Sequence, residues 1–178
     1  MTQDIERCYA ALRTGCPAGS AVTVLQIGAQ QTLIASGTGS ETEATFTLAL
    51  GSHKTAADLF LHQPPTPAEL ENAIMVVEDE LFRVRALAGS ASLLRSDDPA
   101  LRQIALLAGA SDGAELTLSV DAVERLFDAL AALVLGRPAS SAGIPDDAAF
   151  AATMLILREF MHHLQFASIR IMAPTQPV

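Results

Sequence analysis

The sequence predicts an α/β fold in which a mixed five-stranded sheet carries helices on both faces. Three observations lead there. Three runs rich in β-branched residues and bounded by glycine crowd into the first third of the chain: "AVTVLQIG" (Ala21–Gly28), "QTLIASG" (Gln31–Gly37) and "ATFTLALG" (Ala44–Gly51). Beyond them the apolar spacing changes to that of helices. With 178 residues, half of them apolar, the chain is long enough for one full hydrophobic core and too short for two large domains.

Taken in order, Asp4–Arg13 has apolar residues at helical spacing (Ile5, Cys8, Tyr9, Leu12), stopped by Gly15 and Pro17. Residues 1–20 therefore read as an N-terminal helix and linker, 21–51 as a β-meander and 52–173 as an α/β remainder of the same domain, 1–178. Short links between the three strands favour antiparallel pairing. Thr55–Leu61 reads as a short helix. In "PPTPAELENAIMVVEDEL", Thr66 is placed to cap a helix, Pro67 fits its first position and Glu69 completes a capping box, while Leu70, Ala73, Ile74, Val77 and Leu81 form one apolar face. "RVRAL" (Arg83–Leu87) is predicted as a fourth strand, parallel because a helix leads into it. Ser119 caps a helix over Val120–Leu135, and Pro145-Asp146-Asp147 opens another, with acids at the positive end of its dipole. "SIRIMA" (Ser168–Ala173) is predicted as the fifth strand.

Charge excludes several function classes. Eleven basic against twenty acidic side chains give a net charge of −9, and Lys54 is the only lysine. That field repels nucleic acid, anionic lipid and long polyphosphate. The most apolar stretch, Ala148–Phe166, carries Arg158, Glu159 and two histidines, so it reads as a buried helix rather than a membrane span. The N-terminus shows no cationic start followed by an apolar run, and two cysteines, Cys8 and Cys16, make no metal cage; a cytoplasmic protein with free thiols is the expectation.

The element order, with "LQIGAQQTLI", "LALG", "PPTPAELENAI" and "AATMLILREFMHHLQFASIRIM", resembles the second domain of the exopolyphosphatase and guanosine-pentaphosphate phosphohydrolase (Ppx/GppA) family, from about Val22 to Ala173. The resemblance implies a ribonuclease H-like fold, one half of the actin, Hsp70 and sugar-kinase arrangement. It also implies a phosphate-facing turn after the first strand, where the family reads aspartate, isoleucine, three glycines and serine, then threonine and glutamate. Here Gln26, Ile27, Gly28, Ala29, Gln30, Gln31, Thr32 and Leu33 stand in those places. Both carboxylates are gone, and two of the three glycines have gained side chains. A glutamine neither acts as a base nor carries the charge that magnesium needs.

The resemblance implies a second phosphate-facing turn, glycine-glycine-threonine, after the fourth strand; Ala88-Gly89-Ser90 is matched to it, and Lys54 to an arginine after the third strand. Gly28, Gln30, Gln31, Thr32, Lys54, Gly89 and Ser90 are therefore the candidate anion-binding residues, against the plainer reading of Gln30-Gln31-Thr32 as an ordinary hairpin turn. No catalytic residue and no metal ligand is predicted. His162 and His163, about 100° apart on a helix, are read as surface or interface residues. His53 and His62 are read as polar turn residues, "EDE" at Glu78–Glu80 as a solvated face, and Ser90 with Ser92 as hydroxyls without a base.

The resemblance further implies that family members work in a cleft between two such domains, of which this chain supplies the second. The expected function is accordingly a non-catalytic, exopolyphosphatase-related domain acting through protein association, as a homodimer or accessory subunit, with a partner over the cleft-equivalent face and no cofactor. Two alternatives stand beside it. One is a small module binding a phosphate-bearing ligand or nucleotide. The other is a phosphoanhydride hydrolase completed in trans, which alone would call for magnesium.

Overall fold

The computed structural model describes residues 2–87, 91–138 and 143–173. In chain order the elements are α1 (Thr2–Arg13), β1 (Val22–Ile27), β2 (Thr32–Gly37), β3 (Ala44–Leu48), α2 (Ser52–Leu59), α3 (Pro67–Leu81), a 3-10 segment (Phe82–Leu87), β4 (Leu93–Ser96), α4 (Pro99–Leu107), β5 (Glu115–Ser119), α5 (Val120–Val134), α6 (Ala148–His163) and β6 (Ser168–Met172). The strands form one mixed sheet in the order β3-β2-β1-β4-β6-β5. β1, β2 and β3 are antiparallel neighbours, β4 lies parallel to β1 and β6 parallel to β4, and β5 closes the far edge antiparallel to β6.

Side chains alternate across the strands, and both faces of the central strands are covered. Val22 and Val24 of β1, with Ala35 of β2, pack against Ile5, Cys8, Tyr9 and Leu12 of α1. Leu25, Ile27, Ile34 and Leu48 point the other way, into the larger core beneath α2 to α6. At the centre of that core α6 is buried without interruption from Ala151 to Leu157, and Phe160 stacks on Phe166 with ring centroids 5.7 Å apart. A helix apolar on every side belongs inside a protein. Among the described residues no helix is long and apolar enough to cross a membrane.

The fourth strand is a correction. Residues 83–87 are not extended: Phe82 keeps helical angles and the 3-10 turn runs straight on from α3, with Val84 and Leu87 buried at the three-residue spacing of that helix. The strand beside β1 is Leu93–Ser96 instead. It has no β-branched residue and carries Arg95, whose guanidinium is buried on the α1 side, donating to the Leu12 carbonyl (2.6 Å) and to Glu115 of β5 (3.0 Å). β5 is a sixth strand beyond the expected five; its Leu116 and Leu118 face the core and Glu115, Thr117 and Ser119 face out. Helix α4, between them, was also not expected; Asp98 and Pro99 start it much as Thr66 and Pro67 start α3.

The capping box of α3 is formed as expected: the Thr66 side chain accepts from the Glu69 N–H, and the Glu69 carboxylate accepts from the Thr66 N–H at 2.8 Å. That N–H, with His62 adding to it, holds the Glu69 carboxyl at about 2. A depressed carboxyl stabilises the fold above its unfolded-state value and loses that contribution as pH falls. Thr66→Ala is expected to lower the unfolding free energy by about 1 kcal/mol. In urea titrations at a series of pH values, the stability gap between wild type and Glu69→Gln should be full above the ordinary glutamate range and close as pH approaches 2.

Candidate functional site

Ligand sites in open α/β sheets gather outside the carboxyl ends of parallel strands, where the chain departs in opposite directions. Here that place is the common end of β1 and β4, from which β1 turns into the hairpin and β4 leads into α4. Its polar groups are Gln26, Asp97, Asp98 and the turn 28–31.

Gln26 extends its amide to Asp97, Nε2 to Oδ1 at 3.0 Å, and the Cys8 thiol of α1 donates to the same oxygen at 3.2 Å. Burial, reinforced by Asp97 and Asp98, pushes the Cys8 thiol well above its ordinary value. A thiol so raised stays protonated and is no nucleophile. Asp98 closes two chain ends at once, accepting from Ala100 N–H to cap α4 and from Ile27 N–H where β1 ends, each at 2.8 Å. Burial raises the Asp98 carboxyl, and the N–H donors of Ile27, Ala100 and Leu101 oppose that rise.

The hairpin turn is closed by Gly28 N–H donating to the Gln31 carbonyl at 3.0 Å. The first turn of α2 then docks onto it. Ser52 N–H donates to the Gly28 carbonyl, and His53 and Lys54 N–H both donate to the Ala29 carbonyl, all at 3.0 Å. These are the donors that a helix N-terminus offers to an anion. They are spent on the turn, which explains why Gly51 caps α2 with no side-chain hydrogen bond. The docking also requires glycine at 51. A Cβ there would stand 2.5 Å from Gln30 C and 2.6 Å from both Ala29 O and Gln31 N.

The candidate anion residues are thus only partly assembled. Gly28 and Gln30 are exposed in the turn beside Gln31, and Lys54 comes close through its backbone while its ammonium pairs with Asp58. Thr32 is fully buried and its hydroxyl donates to the Leu50 carbonyl at 2.9 Å. Gly89 and Ser90 lie outside the described residues. Because the fourth strand ends at Ser96, the turn that follows it is Asp97-Asp98, not Ala88-Gly89-Ser90. Carboxylates stand where the resemblance implies a glycine-rich phosphate turn. Ser92 shares a hydrogen bond with Thr23 at 2.8 Å.

Beside α2 opens a cleft of about 350 Å³, lined among others by Ser52, His53, Gln103, Asp147, Phe150 and Thr153. Among the described residues, neither lysine nor arginine lines it. The cleft, Asp97, Asp98 and Cys8 were all missed in the sequence. Asp98-Pro99 carried a readable helix-start signal, whereas nothing local ties Cys8 to a strand end 89 residues away.

The strand order, the parallel pair at the centre and the helices on both faces make this a ribonuclease H-like fold. Solved structures that it resembles include those of Ppx/GppA proteins and exopolyphosphatases. A Ppx/GppA phosphatase from Aquifex aeolicus, in a type II variant, superposes with a TM-score of 0.73 at 16% identity, over 94% of this chain and 59% of its own. An exopolyphosphatase-like protein gives 0.71 at 13% identity, over 96% and 62%. An exopolyphosphatase from Cytophaga hutchinsonii gives 0.68 at 11% identity, over 87% and 54%. The chain therefore spans less than two thirds of the length of these structures. No family model matches the chain, and no curated protein matches it.

Gly51→Ala is expected to destabilise the protein by about 1–3 kcal/mol, because backbone on the opposing turn must move. Urea unfolding should show this, and Gly39→Ala, where a Cβ meets nothing within 4 Å, should cost less.

Proposed function

We propose that this domain is catalytically silent and acts through protein association, as a homodimer or as an accessory subunit of an exopolyphosphatase-related assembly. The observation that carries this reading is Gln26. It stands where the resembling family carries a carboxylate, and its amide is engaged by Asp97. An amide provides neither charge for a metal ion nor a base for water. The surroundings support the same reading: the first N–H groups of α2 donate to carbonyls of the hairpin turn, and two aspartates follow the neighbouring strand. A net charge of −9 opposes any long polyanion approaching that end.

Support for association comes from the outer stripe of α3 and the 3-10 turn after it. Met75 and Phe82, two helical turns apart on one stripe, are 63% and 62% exposed. Twofold pairing lets one such stripe cover itself. The cytoplasm is the compartment this reading implies, with Cys8 and Cys16 as free thiols.

A second reading, a small-ligand module, is supported by the cleft beside α2. With Asp147 and no lysine or arginine in its lining, the cleft suits a ligand of little negative charge better than a nucleotide polyphosphate.

Assays of phosphate release from polyphosphate and guanosine pentaphosphate with magnesium should stay at background; turnover above about 1 per second overturns the reading. Light scattering should report twice the 18.7 kDa chain mass, and the double variant Met75→Glu, Phe82→Glu should return it to 18.7 kDa. A monomeric wild type would remove the homodimer.

A further inference from the structure

Two helices place an acid, a second acid and a histidine around one point, away from the sheet end described above. Glu159 and His163 lie one turn apart on α6, and Glu78 comes from α3, which packs alongside. His163 Nε2 is 3.0 Å from Glu78 Oε1 and 3.1 Å from Glu159 Oε2, and the three atoms lie within 4.8 Å of one another.

Glu159 is the unusual member. Its side chain is 1% exposed, its Oε1 is bound by Arg158, and its Oε2 is buried and has no hydrogen bond. His163 Nε2 stands close enough to form an ion pair with that oxygen when it is protonated, but makes no hydrogen bond to it. In any protonation state Nε2 carries at most one hydrogen, and its hydrogen-bond geometry serves Glu78, leaving the buried oxygen aimed at the cluster without a donor. Buried polar atoms left in this way are rare in folded proteins and call for an explanation such as an ion.

We propose that Glu78, Glu159 and His163 bind a divalent transition-metal ion of the zinc class, pinning α3 to α6. The donor set selects the ion. Two carboxylate oxygens and one imidazole nitrogen suit zinc, cobalt or manganese, whereas magnesium and calcium prefer oxygen alone. Zinc with ligands at about 2.0–2.2 Å in a tetrahedron separates them by roughly 3.4 Å, so the two spacings from His163, 3.0 and 3.1 Å, need to open only slightly. Charge agrees. Three carboxylates, Glu78, Glu159 and Glu124, gather here and Arg158 pairs with the last two, an excess of two negative charges that a divalent cation balances. Glu78 and His163 are 42% and 41% exposed, which gives the ion a path in and leaves room for water as a fourth ligand.

The test uses the full chain, stripped with a chelator, and titrates zinc by calorimetry and cobalt by visible absorption. One zinc should bind with a dissociation constant of about 10 µM or tighter. Cobalt should develop the visible bands of a four-coordinate site, and zinc should raise the melting temperature. Glu78→Gln and His163→Ala, both at exposed positions, should weaken zinc at least about tenfold, while His162→Ala should change it by less than about twofold. Glu159→Gln should abolish the site, its folding checked by circular dichroism. The proposal is overturned if zinc shows no saturable binding below about 100 µM, or if binding survives Glu78→Gln and His163→Ala, or if His162→Ala weakens it as much as they do.

Discussion

Strand β1 is the element on which the remainder of the fold hangs. Both of its edges are hydrogen-bonded, to β2 antiparallel and to β4 parallel. Both of its faces are buried, Val22 and Val24 against α1, and Leu25 and Ile27 against the main core. A strand enclosed on four sides has little freedom in register, because a one-residue slip exchanges its two faces. Where β1 outruns β4, the Ile27 N–H would be left without a partner, and the Asp98 side chain takes it while capping α4. One carboxylate thus ties the end of the central strand to the start of the next helix.

The same end of the sheet spends its donors on the fold. Three N–H groups at the start of α2 meet hairpin carbonyls, Thr32 turns its hydroxyl inward, and Gln26 is drawn to Asp97. In a sheet of this topology that region ordinarily faces a ligand, and its exposed backbone donors provide the affinity. Here the donors are satisfied internally and the added side chains are acids. The contact of Gly51 with the turn is close enough that the arrangement admits no side chain at that position.

Helix α6 carries the opposite tension. It is the most apolar helix of the chain and the centre of the larger core, yet Glu159 is wholly buried within it. Arg158 engages one carboxylate oxygen and also lies 4.8 Å from the Phe127 ring centroid, so the guanidinium is held between α5 and its own neighbour. A buried charge with only one oxygen satisfied is costly in a medium of low polarity. Its place, beside an imidazole and a second carboxylate, is one that packing alone does not explain.

Local signals sufficed wherever an element announces its own ends. The three first strands, the Thr66-Pro67-Glu69 helix start, the Ser119 cap and the Pro145-Asp146-Asp147 helix start were all legible, because β-branched runs and helix-starting side chains act within a few residues of themselves. The alternation of "ELTLS" and the Asp98-Pro99 start are equally local signals. Leu93–Ser96 was not legible: four residues without a β-branched side chain become a strand because β1 and β6 lie on either side, and Arg95 is tolerated there because Leu12 and Glu115 reach it from distant elements. The loss of the carboxylate at Gln26 could be read from the chain itself. That this amide meets Asp97 and Cys8, that α2 buries its N–H donors in a turn, and that Glu78 meets Glu159 and His163 were decided only by tertiary packing, since contacts between residues tens of positions apart leave no trace in local spacing.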